Sequence, residues 1–312
     1  MHRTSGIVPI LSIVLWNLLR GPGHAAAALA PADSAYVASV EAWRSERLSR
    51  LTSATGWLTV AGLHWLEPGA NGVGSDPANR VLLPADASPP RAGVIRLHPT
   101  DPGPEFVLEA FPGSGIRCDS VLVSRETFRV DTDGSSPVFT LGRLSFWIIP
   151  RAGRYAVRVR DPEYSLRKEF RGIDAYPVDP AYRVVGRLEA LAAPRPVPVP
   201  NIMGWVDTMF TPGPVVFALG DTVIRLTPLI DAPSDSNLFF VFQDATSGIE
   251  TYGGGRFLYS DLRPDGEVVL DFNKAYNPPC AFNPNTTCPL PPEGNLLTRP
   301  IRAGEKAYAA GH

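Results

Sequence analysis

The stretch from Phe239 to Cys288 reads FFVFQDATSGIETYGGGRFLYSDLRPDGEVVLDFNKAYNPPCAFNPNTTC and holds most of the unusual local chemistry of the chain. Its apolar runs have the length and composition of β-strands, and glycine, proline and asparagine separate them. Charged or amide side chains stand at the ends of these runs. The stretch therefore predicts a β-rich fold with a polar site where several strands begin or end.

The composition of the whole chain supports a folded, turn-rich β protein. The chain has 312 residues, of which 33 are proline and 28 are glycine, and these are spread along its length rather than gathered in repeats. With 29 basic against 31 acidic side chains, it has no basic surface typical of nucleic-acid binding. We predict a mainly β fold with two sandwich- or barrel-like parts, preceded by an amphipathic helix over Asp33–Ser53.

Residues 1–30 have the pattern of an export signal. An apolar run from Ile7 to Leu19 is followed by small residues and the cleavage pattern Ala28-Leu29-Ala30. The run is short for a membrane span, so an uncleaved anchor is the weaker alternative. We predict a periplasmic or secreted protein with no stable membrane span after cleavage. Its predicted parts are a helical lead-in over 31–66, a small β domain over 67–170 and a C-terminal β domain over 171–312.

Export changes the interpretation of the three cysteines. In an oxidising compartment Cys280 and Cys288 are candidates for a disulfide that would staple a proline-rich segment, and Cys118 is left over. There is no C-x-x-C motif and no histidine near this pair, so we predict no metal site. Calcium held by carboxylates and carbonyls, without EF-hand spacing, remains an open alternative.

The dipeptide Asp265-Gly266 indicates a two-residue β-hairpin. If Pro264 lies opposite Glu267, the side-chain period of two places Arg256 on the same face as Asp271 and Asn273. The loop that precedes Arg256 would then carry further polar groups over the same end of the sheet. The candidate ligand-binding residues are Asp244, Thr246, Glu250, Tyr252, Arg256, Asp271 and Asn273. The alternative is a purely structural network that satisfies backbone groups around a long loop.

Several segments carry a family resemblance. The runs TSGIETYGGGRFL, DFNKAYNPPCAFNPNTTCPLPPEGNLL and AGEKAY resemble the bacterial domain-of-unknown-function family 1684, as do GLHWLEPGANGVGS and IIPRAGRYAVRVRD. The resemblance spans roughly Val40 to Tyr308. It implies an exported or cytoplasmic β-rich protein and assigns no activity and no catalytic residue.

The function therefore has to be inferred from the residues themselves. The glycine triplet Gly253–Gly255 does not lie between a strand and a helix, so it is not a phosphate loop, and we predict no cofactor. There is also no G-x-S-x-G nucleophile motif. We expect a binding protein for a small polar or anionic cell-envelope ligand. The alternatives are a hydrolase that uses two of Asp244, Glu250 and Asp271, and a structural envelope protein.

Overall fold

A computed structural model describes residues 31–131, 134–232 and 234–308. The predicted signal peptide, residues 1–30, lies outside this range. The mainly β prediction is confirmed, since 40% of the chain is strand and 15% is helix, and none of the several sheets is closed. In the described part of the chain, no helix is both long and apolar enough to cross a membrane.

The predicted N-terminal helix is present. Helix α1 covers Pro31–Thr52, and a second, short helix α2 covers Ser165–Glu169. The acidic side chain of Asp33 lies in the first turn of α1, where a negative charge complements the helix dipole. Val40 and Leu51 are the buried apolar contacts of α1, with 0% and 2% of their surface exposed.

Eleven strands form two sheets that share one hydrophobic core in the N-terminal half. The six-stranded sheet has the order β1-β11-β10-β9-β6-β7, and the five-stranded sheet has the order β3-β2-β4-β5-β8. The strands are β1 Val60–Trp65, β2 Gly69–Gly74, β3 Val81–Leu82, β4 Gly93–His98, β5 Glu105–Ala110, β6 Arg117–Cys118, β7 Val121–Leu122, β8 Arg125–Phe128, β9 Phe139–Leu141, β10 Leu144–Arg151 and β11 Arg154–Arg160.

Eight strands form smaller sheets in the C-terminal half. One sheet has the order β16-β15-β12-β19, while β13 pairs with β14 and β17 pairs with β18. The proline-rich β13 has a single partner in its sheet, as expected for prolines that cannot donate to a second neighbour. The strands are β12 Arg183–Leu188, β13 Arg195–Pro200, β14 Val206–Thr211, β15 Val215–Leu219, β16 Thr222–Leu226, β17 Asn237–Phe242, β18 Arg256–Asp261 and β19 Glu267–Asp271.

The hairpin between β18 and β19 differs from the predicted one. Arg263 N–H donates to the Glu267 carbonyl at 3.0 Å, so the loop contains three residues rather than two. Gly266, at the end of this loop, has a φ of 81°, which glycine adopts without strain. The turn pairs Leu262 with Val268, one residue away from the predicted register, and beyond it β18 and β19 belong to different sheets. Leu258, Leu270 and Phe272 share one core.

Candidate functional site

Arg256 lies at the start of β18, opposite Phe242 of β17. Its Nη2 atom is 2.7 Å from Asp244 Oδ2, and both side chains are 0% exposed. The same nitrogen donates to the Ile301 carbonyl at 2.8 Å, and Nη1 donates to the Ala303 carbonyl. The guanidinium group is thus a buried cation whose charge is met by a carboxylate and by backbone oxygens.

Asp244 also organises the loop between β17 and β18. Its Oδ1 atom accepts hydrogen bonds from Thr246 N and Thr246 Oγ1 at 2.8 and 2.7 Å, and from Ile301 N at 3.1 Å. Thr246 Oγ1 in turn lies 2.9 Å from Thr251 Oγ1. We call Arg256, Asp244, Thr246 and their backbone partners the Arg256 network, and it ties the loop to the C-terminal segment.

Asp271 and Asn273 belong to a different network. Tyr36 of α1 donates its hydroxyl to Asp271 Oδ1 at 2.7 Å, and Asn273 Nδ2 donates to the Tyr36 hydroxyl at 2.9 Å. Asn273 Nδ2 also donates to the Asp179 carbonyl at 2.8 Å. Burial raises the pKa of Tyr36, and the hydrogen bond to Asp271 raises it further. We call Tyr36, Asp271 and Asn273 the Tyr36 network, and it anchors α1 to the C-terminal half.

The prediction that Arg256, Asp271 and Asn273 form one cluster is therefore wrong. Its premise was a two-residue hairpin, and the three-residue loop moves Asp271 out of the register that would face Arg256. In the shifted register Asp271 needs a partner other than Arg256. Tyr36, which is 235 residues away in the sequence, supplies the missing hydrogen bond.

Glu250 and Tyr252 do not close over either network. Glu250 Oε1 is 2.8 Å from Arg302 Nη2, and its Oε2 accepts from the Tyr176 hydroxyl at 2.8 Å. The hydrogen bond from Arg302, together with that from Tyr176, holds the pKa of Glu250 below its usual value. Asp244, Asp271 and Glu250 thus have separate partners, an arrangement that does not favour a hydrolase with paired carboxylates.

The predicted disulfide is absent. The structure has Cys118, Cys280 and Cys288 as free cysteines. The two cysteines of the predicted pair are nevertheless in contact, because Cys280 N–H donates to Cys288 Sγ at 3.2 Å. In the described part of the chain, no group of three or more His, Cys, Asp or Glu side chains is placed to hold a metal ion.

A cavity of about 630 Å³ lies between α1 and the C-terminal half, and we call it the helix pocket. Arg47 and Arg50 of α1 face Lys274 across it, and none of the described residues that line it is acidic. Four aromatic rings complete its walls, namely those of Trp43, Trp57, Tyr259 and Tyr276. The arrangement suits a small anion that also carries an apolar or aromatic group.

The helix pocket is fixed in place by buried contacts on its inner side. Arg47 Nε is 2.8 Å from Glu305 Oε1, and the Arg47 guanidinium carbon lies 4.3 Å from the centre of the Tyr276 ring. Arg44 Nη2 donates to the Tyr176 carbonyl at 3.0 Å. Sequence reasoning identified the polar face of α1 but missed the pocket, because its two walls are more than 200 residues apart. Lys274, directly after Asn273, is the one local signal.

Comparison with known proteins places the chain in a family. A family model described as a protein of unknown function, DUF1684, matches residues 168–306. The chain belongs to the DUF1684 family. A solution NMR structure of an uncharacterised protein from Haloarcula marismortui is 33% identical, covering 45% of this chain and 78% of that chain, with a TM-score of 0.37. The search of curated proteins gave no match.

The DUF1684 match contains one wall of the helix pocket and the whole Arg256 network. Helix α1, which supplies Tyr36, Arg47 and the other wall, precedes the matched residues. The candidate site is therefore built by the DUF1684 region together with a helix from outside it.

Proposed function

We propose that this DUF1684 protein is exported and binds a small anionic ligand in the helix pocket. The observation that carries the proposal is the lining of the pocket, whose described residues include three basic side chains and four aromatic rings but no carboxylate. The apolar run and A-x-A pattern within residues 1–30 support export.

Lys274 is the cation best placed to receive such a ligand. In the described part of the chain it has neither an ion pair nor a hydrogen bond to its ammonium group, whereas Arg47 is already paired with Glu305. Among the described residues Arg50 pairs with Glu46 alone, at 3.3 Å, and both side chains are more than half exposed. An exposed pair of this kind is weak, so an incoming anion can replace its carboxylate.

The aromatic rings favour a ligand with an apolar part. A planar or apolar group gains from burial against Trp43 and Tyr276, while its anionic group is held by Lys274 and Arg50. The specificity for small ligands follows from the volume, because pockets of several hundred Å³ suit molecules of drug size or below.

The Tyr36 network supports this proposal indirectly. Asp271 and Asn273 hold α1 through Tyr36, and Lys274 follows them in a short turn of 3-10 helix over Phe272–Lys274. These residues thus set the separation of the two pocket walls. Direct ligand contact by the seven residues expected from the sequence stays a prediction, as does the division into domains at residues 66 and 170.

The test is a thermal-shift screen of small carboxylates, phosphates and sulfates, with and without an aromatic group. The protein is purified from the extracytoplasmic fraction of a bacterial host, where its N-terminus is expected near Ala30-Pro31. An aromatic anion at about a hundredfold excess over its Kd stabilises the fold by about 2.7 kcal/mol, which raises the Tm.

Two variants make the screen specific. Lys274→Glu should abolish the shift, because a carboxylate then faces the ligand. Lys168→Glu is the matched control on α2, outside the pocket, and should leave the shift unchanged. The proposal fails if no anion raises the Tm, or if Lys274→Glu binds as well as the unaltered protein.

A further inference from the structure

Cys280 and Cys288 form a pair of reduced thiols in contact with each other. Cys280 lies in a short turn of 3-10 helix over Pro279–Ala281, and its N–H donates to Cys288 Sγ at 3.2 Å. On its other side, Cys280 Sγ accepts a hydrogen bond from the Tyr252 hydroxyl at 3.6 Å. Each of the two sulfur atoms therefore accepts a hydrogen bond.

A buried positive charge acts on this pair. Arg158 of β11 is 7% exposed, and its Nε atom has no hydrogen-bond partner. Its guanidinium carbon lies 4.9 Å from the ring centre of Trp57 and 5.9 Å from that of Trp147, and no described acidic side chain pairs with it. Burial, with repulsion from nearby arginines, lowers the pKa of Arg158 to about 10, so it stays charged at neutral pH.

The charge distribution favours ionisation of Cys288. The hydrogen bond from Cys280 lowers the pKa of Cys288 although burial raises it, and the nearby charge of Arg158 adds a smaller lowering. A thiolate is the reactive form of cysteine and is stabilised by hydrogen-bond donors and nearby cations.

Cys280 is also accessible from a cavity of about 480 Å³, which we call the thiol pocket. Its lining, as far as the structure describes the chain, contains no charged residue. Three apolar side chains at its rim are exposed to solvent, namely Ile249 at 82%, Ile202 at 43% and Met203 at 40%. An uncharged, apolar group is the natural occupant, since a charged group would lose hydration without gaining a partner.

We propose that Cys280 and Cys288 form a thiol–disulfide exchange site that reacts with uncharged, apolar disulfides entering the thiol pocket. This goes beyond a structural bridge, because both oxidation states of the pair take part. It is also independent of anion binding, since the thiol pocket and the helix pocket have no described lining residue in common.

The exchange proceeds in two steps. As Cys280 attacks one sulfur of the incoming disulfide, its proton passes to the Cys288 thiolate, and the first thiolate of the substrate leaves. The Cys288 thiol then gives its proton to that thiolate and attacks Cys280 Sγ, releasing the second half of the substrate as a thiolate that takes a proton from water. The protein dithiol becomes a disulfide, and one substrate disulfide becomes two thiols.

The test uses dithiodipyridine, an uncharged disulfide that releases a coloured thione, on the full folded chain. The Cys280–Cys288 pair should release two thiones per protein in one fast phase. Cys288→Ser should stop after one, leaving a mixed disulfide at Cys280 that mass spectrometry detects. Cys118→Ser is the control and should keep the fast phase, because burial and nearby carboxylates raise the pKa of Cys118.

Three further measurements keep the proposal falsifiable if a buried serine disturbs folding. Dithiobis(nitrobenzoate), which is anionic, should react at least roughly tenfold more slowly, because its charge must be desolvated in the pocket. Ile249→Asp, at an exposed rim position, should slow the uncharged probe. Arg158→Met should raise the pH at which the rate is half-maximal, whereas Arg154→Met, on the exposed end of the same strand, should not.

The proposal is overturned if Cys118 accounts for the reaction of the folded protein. It is also overturned if Cys280 and Cys288 react only after unfolding, or if they form a bridge that dithiothreitol does not reduce in the folded state.

Discussion

Arg256 and Arg158 are both buried arginines, and their surroundings are opposite. Arg256 is 0% exposed and is paired with Asp244 and with backbone carbonyls. Arg158 is 7% exposed and lies between two tryptophan rings, with no described carboxylate partner. The Nε atoms of both arginines lack a described hydrogen-bond partner, so the difference lies in the Nη atoms, which in Arg256 bind a carboxylate and backbone carbonyls. A buried cation paired with a carboxylate holds a fold together, whereas one without such a partner leaves its positive charge available to another group.

The difference follows from the position of each arginine in its sheet. Arg158 is on a strand with neighbours on both sides, Leu63 of β1 and Trp147 of β10, so the ladders use the nearby backbone carbonyls. Arg256 points at the segment 301–305, which runs outside any sheet and offers free carbonyls. The same residue type therefore acts as a structural ion in one place and as a source of positive potential in the other.

The largest loss of stability is expected when Arg256 is substituted. Arg256→Met removes the partner of a fully buried carboxylate and leaves backbone carbonyls without a donor. We expect the free energy of unfolding to fall by about 3–5 kcal/mol, as for other broken buried ion pairs. Urea denaturation followed by circular dichroism measures this loss.

A double-mutant cycle isolates the ion pair itself. Asp244→Leu in the Arg256→Met background should restore part of the stability, because no buried charge is then left unpaired. If Arg256→Met alone costs less than about 1 kcal/mol, the network is not structural, and Arg256 would be free to serve a ligand.

Sequence reasoning found elements whose signals are local. The tripeptide Arg151-Ala152-Gly153 is a local turn signal, and Ala152 and Gly153 form a two-residue loop between β10 and β11, with φ of 46° and 71°. Helix α1 could equally be predicted, because a helical period is visible within a few residues.

The candidate site could not be predicted from local sequence signals in the same way. One extra loop residue before Glu267 changed the face of Asp271, and a hairpin dipeptide does not fix loop length by itself. The partner of Asp271 is Tyr36, and the partner of Arg47 is Glu305, so both contacts depend on where α1 packs. Such contacts between distant residues are set by tertiary packing, so the local sequence pattern does not predict them.

A smaller effect is expected at the Tyr36 network, where Tyr36 itself is only half-buried. Tyr36→Phe removes the hydroxyl that donates to Asp271 and accepts from Asn273. A hydrogen bond to a charged group contributes about 1.5–3 kcal/mol, so we expect a loss in that range. Tyr155→Phe is the matched control, because no described hydrogen bond is made by its hydroxyl, and its stability should not change. A loss as large as that of Arg256→Met would show that α1 is part of the same cooperative core.

The smallest effect is expected for Arg158→Met, which makes the comparison between the two arginines decisive. Removing an unpaired buried charge relieves its desolvation cost, and Met fills much of the same volume between Trp57 and Trp147. The loss of the cation–π contacts, worth about 2 kcal/mol when desolvated, opposes this gain. We expect the gain in desolvation energy and the loss of the cation–π contacts to cancel, so that the free energy of unfolding changes by less than about 1 kcal/mol.

The control for Arg158→Met is a paired arginine in the same half of the molecule. Arg143 Nε is 2.8 Å from Asp161 Oδ1, whose side chain is 4% exposed. Arg143→Met leaves the Asp161 carboxylate without this partner. It should therefore lower the free energy of unfolding more than Arg158→Met does, as measured by urea denaturation of both variants. If Arg158→Met is the more damaging of the two, then Arg158 contributes to the fold as Arg256 does. In that case the lack of a hydrogen-bond acceptor would not indicate that the charge of Arg158 stabilises the Cys288 thiolate.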